Sequence, residues 1–292
     1  MKNFLSVFCL AGFALASFTF SPPKKKFNAP KAFVFVPSGT YSKNGESMAM
    51  NGFYMMSREV TNLDYKEFLF HVKATGSQED YEKVRVHSEG WSAFGKWDDA
   101  SAARYFENSR YDEFPVVNIT QEAARMFCKW LAQAIEVKNP NFQVEVRLPT
   151  ETEWSYAAQG GIANAPYPNG NYLRSLTGQY FYNFRVVGDE SIHQDPDTRE
   201  FKVKPSRPVG TFDKDFYGPL SAVSVLPNGY GLYNTSGNVA EMVQEDGRTK
   251  GGSFNNTGYD IRIDAPDPYA GFTGSSPFIG FRVLLTVKER VD

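Results

Sequence analysis

The stretch Asn228-Gly229-Tyr230-Gly231-Leu232-Tyr233-Asn234-Thr235-Ser236-Gly237-Asn238-Val239-Ala240-Glu241, followed by Lys250-Gly251-Gly252-Ser253-Phe254-Asn255-Asn256, decides how this 292-residue chain is read. Two short mixed runs are each introduced by turn residues. Asn228-Gly229 and Ser236-Gly237 tolerate positive φ, so the backbone is able to fold sharply at both places. Gly237, Val239 and Glu241 are two apart, and in an extended chain they share one side. Two backbone carbonyls and a carboxylate would then converge with the Asn234 side chain. Four oxygens of that kind suit a hard cation such as Ca²⁺. The same spacing also describes an ordinary turn-rich strand pair, and the residues alone leave both readings open.

Working outward, several further blocks occur in a fixed order. Glu59-Val60-Thr61-Asn62, Pro115-Val116-Val117 and Arg147-Leu148-Pro149-Thr150-Glu151-Thr152-Glu153-Trp154 precede the central stretch, and Ile279-Gly280-Phe281-Arg282 follows it. Together these resemble the formylglycine-generating enzyme family, also called the sulfatase-modifying factor family, from about Phe33 to Val287. The resemblance implies an α+β, C-type-lectin-like fold with few regular elements and long loops. It also carries the family's calcium ligands onto Asn234, the carbonyls of Gly237 and Val239, and Glu241. A second implied calcium site falls on Asn183 and the Phe184 carbonyl, with an acid from the Asp195-Pro196-Asp197 loop. Both ions would be structural.

The same resemblance speaks against the family's chemistry. Active members oxidise a cysteine of a nascent sulfatase with two thiolates that bind copper(I), placed just after Gly-Gly-Ser. A soft ion needs such soft ligands. Here those positions fall on Asn256 and Ile261, an amide and an alkyl chain, so no copper is expected. Ala240 and Met242 stand where the family carries aromatic residues, which implies a pocket that has lost part of its wall. The three histidines, His71, His87 and His193, lack ligand spacing, which disfavours a non-haem iron site. No Gly-x-Ser-x-Gly elbow or P-loop occurs. The sequon-like Asn118-Ile119-Thr120, Asn234-Thr235-Ser236 and Asn255-Asn256-Thr257 matter only in a eukaryotic secretory context, which nothing here supports.

Composition narrows the class further. With 22% charged residues and a net charge of -2, there is no basic surplus for nucleic acid or anionic lipid. The 25 Phe and 16 Tyr are able to fill the core of a loop-rich domain, because each ring buries a large apolar area. Met1-Lys2-Asn3, the apolar run Phe4 to Leu15 and the small-x-small Ala14-Leu15-Ala16 read as a signal peptide over 1–16. The run is short for a membrane span. Bulky Phe8 before Cys9 excludes lipidation there. Export to the periplasm or cell envelope follows, with Cys128 as the one thiol of the mature protein and hence no internal disulfide.

Along the remaining chain, 17–30 reads as a flexible proline-bounded leader and 31–292 as one domain. Phe33 to Pro37 predicts a first strand. Thr61 caps a helix whose stripe is Tyr65, Phe68, Leu69 and Val72, ended at Gly76. Residues 77–114 show no strong periodicity and read as irregular surface structure. Thr120 begins a helix through about Val137, and Cys128 on its border reads as a partly buried, inert thiol. Thr150 to Glu153 is a capping box that starts a short helix stopped by Gly160-Gly161.

Silent relatives include envelope lipoproteins of the gliding-motility and type 9 secretion machinery, to which the Gly-Gly-Ser and Ile-Gly-Phe-Arg blocks are similar. The functional expectation is therefore a catalytically inactive domain that binds or scaffolds an envelope protein. The alternative is a module that uses the former active-site groove for a glycan or peptide. An enzyme of different oxidative chemistry is the remaining reading, and no residue supports it positively.

Overall fold

The computed structural model describes residues 26–43, 45–91, 104–186, 192–203 and 218–290. The larger sheet begins with β1 (Phe33–Val36), a β-branched and aromatic run of the type that favours a pleated, half-buried surface. A hairpin of β2 (Gly39–Lys43) and β3 (Glu46–Met50) leads to β4 (Phe53–Met56), which returns antiparallel to β1 with Phe33 opposite Met56. β5 (Phe142–Arg147) alternates inward Phe142, Val144 and Val146 with outward polar residues. The last strand of the larger sheet, residues Leu284–Glu289, lies between β4 and β5 and is antiparallel to both. The first and last strands of the chain thus share one four-stranded sheet.

Three helices contribute to the core beside that sheet. α1 (Asn62–Thr75) starts at Thr61, whose hydroxyl accepts from the Asp64 amide while Asp64 returns a bond to the Thr61 amide. α2 (Gln78–Val84) has the same reciprocal cap from Ser77 and Asp80. α3 (Gln121–Lys138) is capped by Thr120. The expected stripe of α1 is buried, and Phe127 of α3 locks it in place. Its ring stacks on Tyr65 at 5.9 Å and meets Phe68 edge-on at 5.6 Å and Phe281 at 5.4 Å. Such ring pairs add to what area burial alone provides. Cys128 lies inside this core, and burial pushes its thiol up to about 12. The inert thiol expected from the sequence is thus more deeply buried than its helical position suggested.

A second, smaller sheet holds the central stretch. β6 (Ile192–Gln194) and β7 (Phe201–Val203) form a separate hairpin, and then β8 (Ala240–Met242) pairs antiparallel with β9 (Thr249–Lys250). β10 (Ile279–Phe281) joins the other side of β8 in parallel. Arg282 and Val283 then carry the chain from β10 straight into the last strand of the larger sheet, β11 (Leu284–Glu289). Arg282 therefore stands at the seam between the two sheets.

Three expectations need correction. Within 77–114, the described residues are not all irregular surface: they contain α2, and Trp91 and Tyr105 are buried with Val117, Val239 and Phe254. Their lack of periodicity reflects a seven-residue helix too short to show a stripe. Trp97 lies outside the described residues. The end of the leader is not free either. Phe27 packs against Tyr54 and edge-on to Phe142 at 5.4 Å, and the Asn28 amide donates to Asn139. The signal peptide and the rest of the leader lie outside the described residues. Finally, the central stretch is not one extended strand. Gly237 (φ 73°) and Asn238 (φ 62°) are both left-handed, so Gly237, Val239 and Glu241 do not alternate along one face.

α4 (Glu151–Ala158) ends against the Asn228-Gly229 turn. The Asn228 amide donates to the carbonyls of Ala157 and Ala158 at 2.9 and 3.1 Å, satisfying acceptors that a helix end leaves open. The approach is so close that a Cβ on Gly229 would stand 2.2 Å from the Gly160 carbonyl oxygen. Gly229→Ala should therefore cost more than about 2 kcal/mol, a loss set by backbone collision. Urea unfolding checks it, and an unchanged midpoint would show that this turn and α4 are not held together.

Candidate functional site

The residues that the central stretch brings together form a buried ionic and amide cluster. Glu241, the middle residue of β8, is 1% exposed, and Arg282 is 0% exposed. Arg282 grips the carboxylate with two bonds, Nε to Oε2 and Nη2 to Oε1, each 2.5 Å. The Trp154 indole of α4 adds a third donor to Oε2 at 2.7 Å. The other guanidinium hydrogens meet the carbonyls of Tyr233 at 2.7 Å, Met56 at 3.4 Å and Ser57 at 3.5 Å. All five N–H donors of the fork thus have acceptors. Burial alone would lower the Arg282 pKa, but Glu241 and the more distant Glu59 outweigh it and hold it above the ordinary value.

A second buried carboxylate stands behind the first. Glu59 accepts from the amide nitrogens of Asn234 at 3.1 Å and Asn238 at 2.9 Å. Its pKa is pushed up to about 8, chiefly because burial disfavours the charged form; Arg282 opposes the rise and Glu241 adds to it. One guanidinium flanked by two carboxylates balances a single charge, and burial disfavours the charged form of Glu59. Asn234 and Asn238 reach Glu59 because both adopt left-handed backbone, at φ 52° and 62°. Asparagine tolerates that conformation better than most residues. Gly237 between them has no alternative, since a Cβ there would lie 2.2 Å from the Asn183 carbonyl oxygen at a φ of 73°.

This arrangement does not fit the calcium cage that the resemblance implies. Both Glu241 oxygens receive N–H donors, two of them from a cation, so an incoming Ca²⁺ would face the Arg282 charge at close range. Asn234 turns its amide nitrogen toward Glu59 and the Ser221 carbonyl. At the second implied site, the Asn183 nitrogen donates to the Gly218 carbonyl and to Asn238 Oδ1, and its own carbonyl accepts from the Asn238 amide. Phe184 is buried beside Tyr180. Asp195 is spent on its own hairpin, where Oδ1 accepts from the amides of Asp197 and Thr198. No cluster of three or more His, Cys, Asp or Glu able to hold a metal occurs among the described residues.

The segment after Gly251-Gly252-Ser253 is equally closed. Asn256 Oδ1 takes three donors, the Ser253 amide at 2.8 Å, the Ser253 hydroxyl at 2.9 Å and the Tyr269 hydroxyl at 2.9 Å. Ile261 is fully buried beside Tyr167, Tyr182 and Phe184. Asp260 caps a local turn through Thr257. Ala240 and Met242 both belong to the main core, and Met242 also borders a small cavity with Gln121 and Ile279. Glu59 and Arg282 entered the sequence reading only as parts of resembling blocks. A signal was present for Arg282, a charge set between Phe281 and Val283-Leu284-Leu285, because a charge so placed requires a buried partner. Glu59, next to Ser57-Arg58, carries no such signal.

Two measurements follow. Glu59 has its folded pKa raised above the unfolded value of 4.5, so between pH 4.5 and about 8 the folded state keeps a proton that the unfolded state releases. Stability should fall as pH rises through that window, and Glu59→Gln, which cannot titrate, should flatten that part of the decline. Parallel profiles for the two proteins would contradict the assignment. Chelation should leave the melting temperature of the unsubstituted protein unchanged. A Tm lowered by a chelator and restored by Ca²⁺ would show that an ion enters the cluster after all, because a ligand of the folded state stabilises it by mass action.

Comparison with known proteins agrees with this fold and with a divided functional record. The chain is 27% identical over 245 residues to the formylglycine-generating enzyme of Mus musculus, covering 72% of this chain and 57% of the mouse protein. It thus spans little more than half of that relative's length. It is 30% identical over 131 residues to the inactive C-alpha-formylglycine-generating enzyme 2 of Bos taurus, covering 44% of this chain and 32% of that one. The solved structure of CarF superposes with a TM-score of 0.55 at 18% identity, over 90% of this chain and 99% of CarF. With the sulfatase-modifying factor enzyme 1-like domain model matching residues 18–287, the chain belongs to that family.

Proposed function

We propose that this chain is a non-catalytic member of its family, exported to the cell envelope, where it binds or scaffolds a protein partner. The observation that carries the reading is the state of the two former cysteine positions. Asn256 is fully engaged as an acceptor and Ile261 is packed into an aromatic cluster, so neither soft ligation nor thiol chemistry has a place there. Cys128 is buried in the main core, and that burial disfavours its thiolate. Similarity to a mammalian relative named as inactive supports the same direction. The signal-like N-terminal segment supports export without lipidation, and the resembling blocks favour a partner from secretion or gliding machinery.

A second reading has its own observation. Beside the segment that carries Asn256 lies an open groove of about 500 Å³, within the size range of ligand sites. A peptide or glycan bound there would make the former active-site face a recognition surface.

The mature protein should leave the cysteine of a sulfatase-derived peptide unchanged, with or without copper(I). Mass spectrometry of the peptide reads the outcome directly, and conversion to the aldehyde would falsify the non-catalytic assignment. Pull-down from envelope extracts, repeated with an excess of competing oligosaccharide, separates the two binding readings. A stable protein partner indifferent to the sugar favours scaffolding.

A further inference from the structure

We propose that the groove beside the former catalytic segment is a reader of acidic peptide segments, with Arg174 and Arg185 recognising a carboxylate next to an apolar side chain. The inference rests on the second reading above, that this groove is a binding face. One wall is the loop 173–181, closed on itself by the Phe181 amide to the Leu173 carbonyl at 2.9 Å and by the bridge between Arg174 and Tyr180. The opposite wall runs from Phe184 to Val186 and is tied to the former catalytic segment by the Arg185 amide to the Asn256 carbonyl at 2.9 Å. Leu173, Tyr180, Phe184 and Val186 supply the apolar lining.

Among the described residues, the charge in the groove has one sign. Arg174 and Arg185 both line it, and no carboxylate does among the described residues. The Arg185 Nε is buried and has no hydrogen-bond partner, which leaves a desolvated donor unsatisfied. Leaving such a donor unmet costs free energy, and a ligand carboxylate would meet it with a charge-assisted bond. The guanidinium fork also matches the two oxygens of a carboxylate in one plane. The contrast with buried Arg282 is direct: Arg282 has acceptors for all its donors, and the Nε of half-buried Arg185 has none.

The lining favours a peptide over a sugar. Flat exposed rings would stack on a sugar face, but here branched Leu173 and Val186 stand beside the rings and suit an aliphatic or aromatic side chain. An acidic stretch with interleaved apolar residues offers both features at the spacing of neighbouring residues.

Two matched pools of fluorescent octapeptides test the proposal on the full mature chain. One pool carries Glu beside a varied apolar position, and the other carries Gln in its place. The Glu pool should be retained at least about tenfold more than the Gln pool, the equivalent of one charge-assisted contact. Arg174→Gln, at an exposed position, should remove most of that preference without changing the melting temperature, and Arg174→Gln with Arg185→Gln should remove the rest. Equal retention of both pools would overturn acid recognition while leaving the groove a peptide site. Retention of uronic-acid oligosaccharides with neither peptide pool would overturn the peptide class. A preference for Glu that survives both substitutions would place the site elsewhere. No retention of any probe would overturn the proposal and the binding-face reading together.

Discussion

The structure depends on one buried ion pair. Arg282 and Glu241 meet where the chain passes from the small sheet into the large one, and they draw in elements that share no regular ladder with one another. Glu241 comes from β8, Trp154 from α4, the Tyr233 carbonyl from the turn-rich central stretch, and the Met56 and Ser57 carbonyls from the end of β4. Two charges removed from water are costly, and they repay that cost only with good geometry and with their remaining donors satisfied. Here the fork is bidentate and every donor has an acceptor. Removing one partner leaves the other charge stranded, so the pair determines the relative placement of everything around it.

Around this pair the chain substitutes side-chain amides for sheet. Asn228, Asn234, Asn238 and Asn183 each bond to backbone carbonyls or to one another across gaps of tens of residues. Loops without ladders still have to satisfy their buried carbonyls and amides. Asparagine does this with one donor group and one acceptor group on a short stem, and it accepts left-handed backbone where the turns demand it. The same closure runs through the segment after Gly251-Gly252-Ser253, onto which the resemblance carries the family's cysteine positions. Asn256 serves Ser253 and Tyr269, and Ile261 fills an apolar space, so both residues hold a loop.

Much of the fold was legible in the sequence, and the reasons are local. Thr61, Thr120 and Thr150 announce helices because a cap and an apolar stripe lie within a few residues of each other. The first strand was visible as a short β-branched and aromatic run. The α+β family architecture came from separated blocks in a fixed order, and the matching family model agrees with it. What escaped was set by distance along the chain. α2 is too short for periodicity, and the partners that bury Trp91 and Tyr105 include Val239 and Phe254, more than a hundred residues away. At the candidate site, the sequence singles out Asn234 and Glu241 as calcium ligands, but their hydrogen-bond partners Glu59 and Arg282 lie 175 and 41 residues distant. Spacing by twos assumed an extended strand, and two successive left-handed residues at Gly237 and Asn238 broke that assumption. The carboxylate that looked available for an ion was already taken by an arginine.

The central claim is that Glu241 and Arg282 act as one unit, and a double-mutant cycle tests it most directly. Urea unfolding of the unsubstituted protein, Glu241→Gln, Arg282→Met and the double variant gives the four stabilities. Each single change is expected to cost about 3–5 kcal/mol, the penalty for leaving a buried charge without its partner. The double variant should cost clearly less than the sum of the two, with a coupling of roughly 2 kcal/mol or more. Small single effects that simply add would contradict the account, because the two side chains would then be neighbours and not a pair.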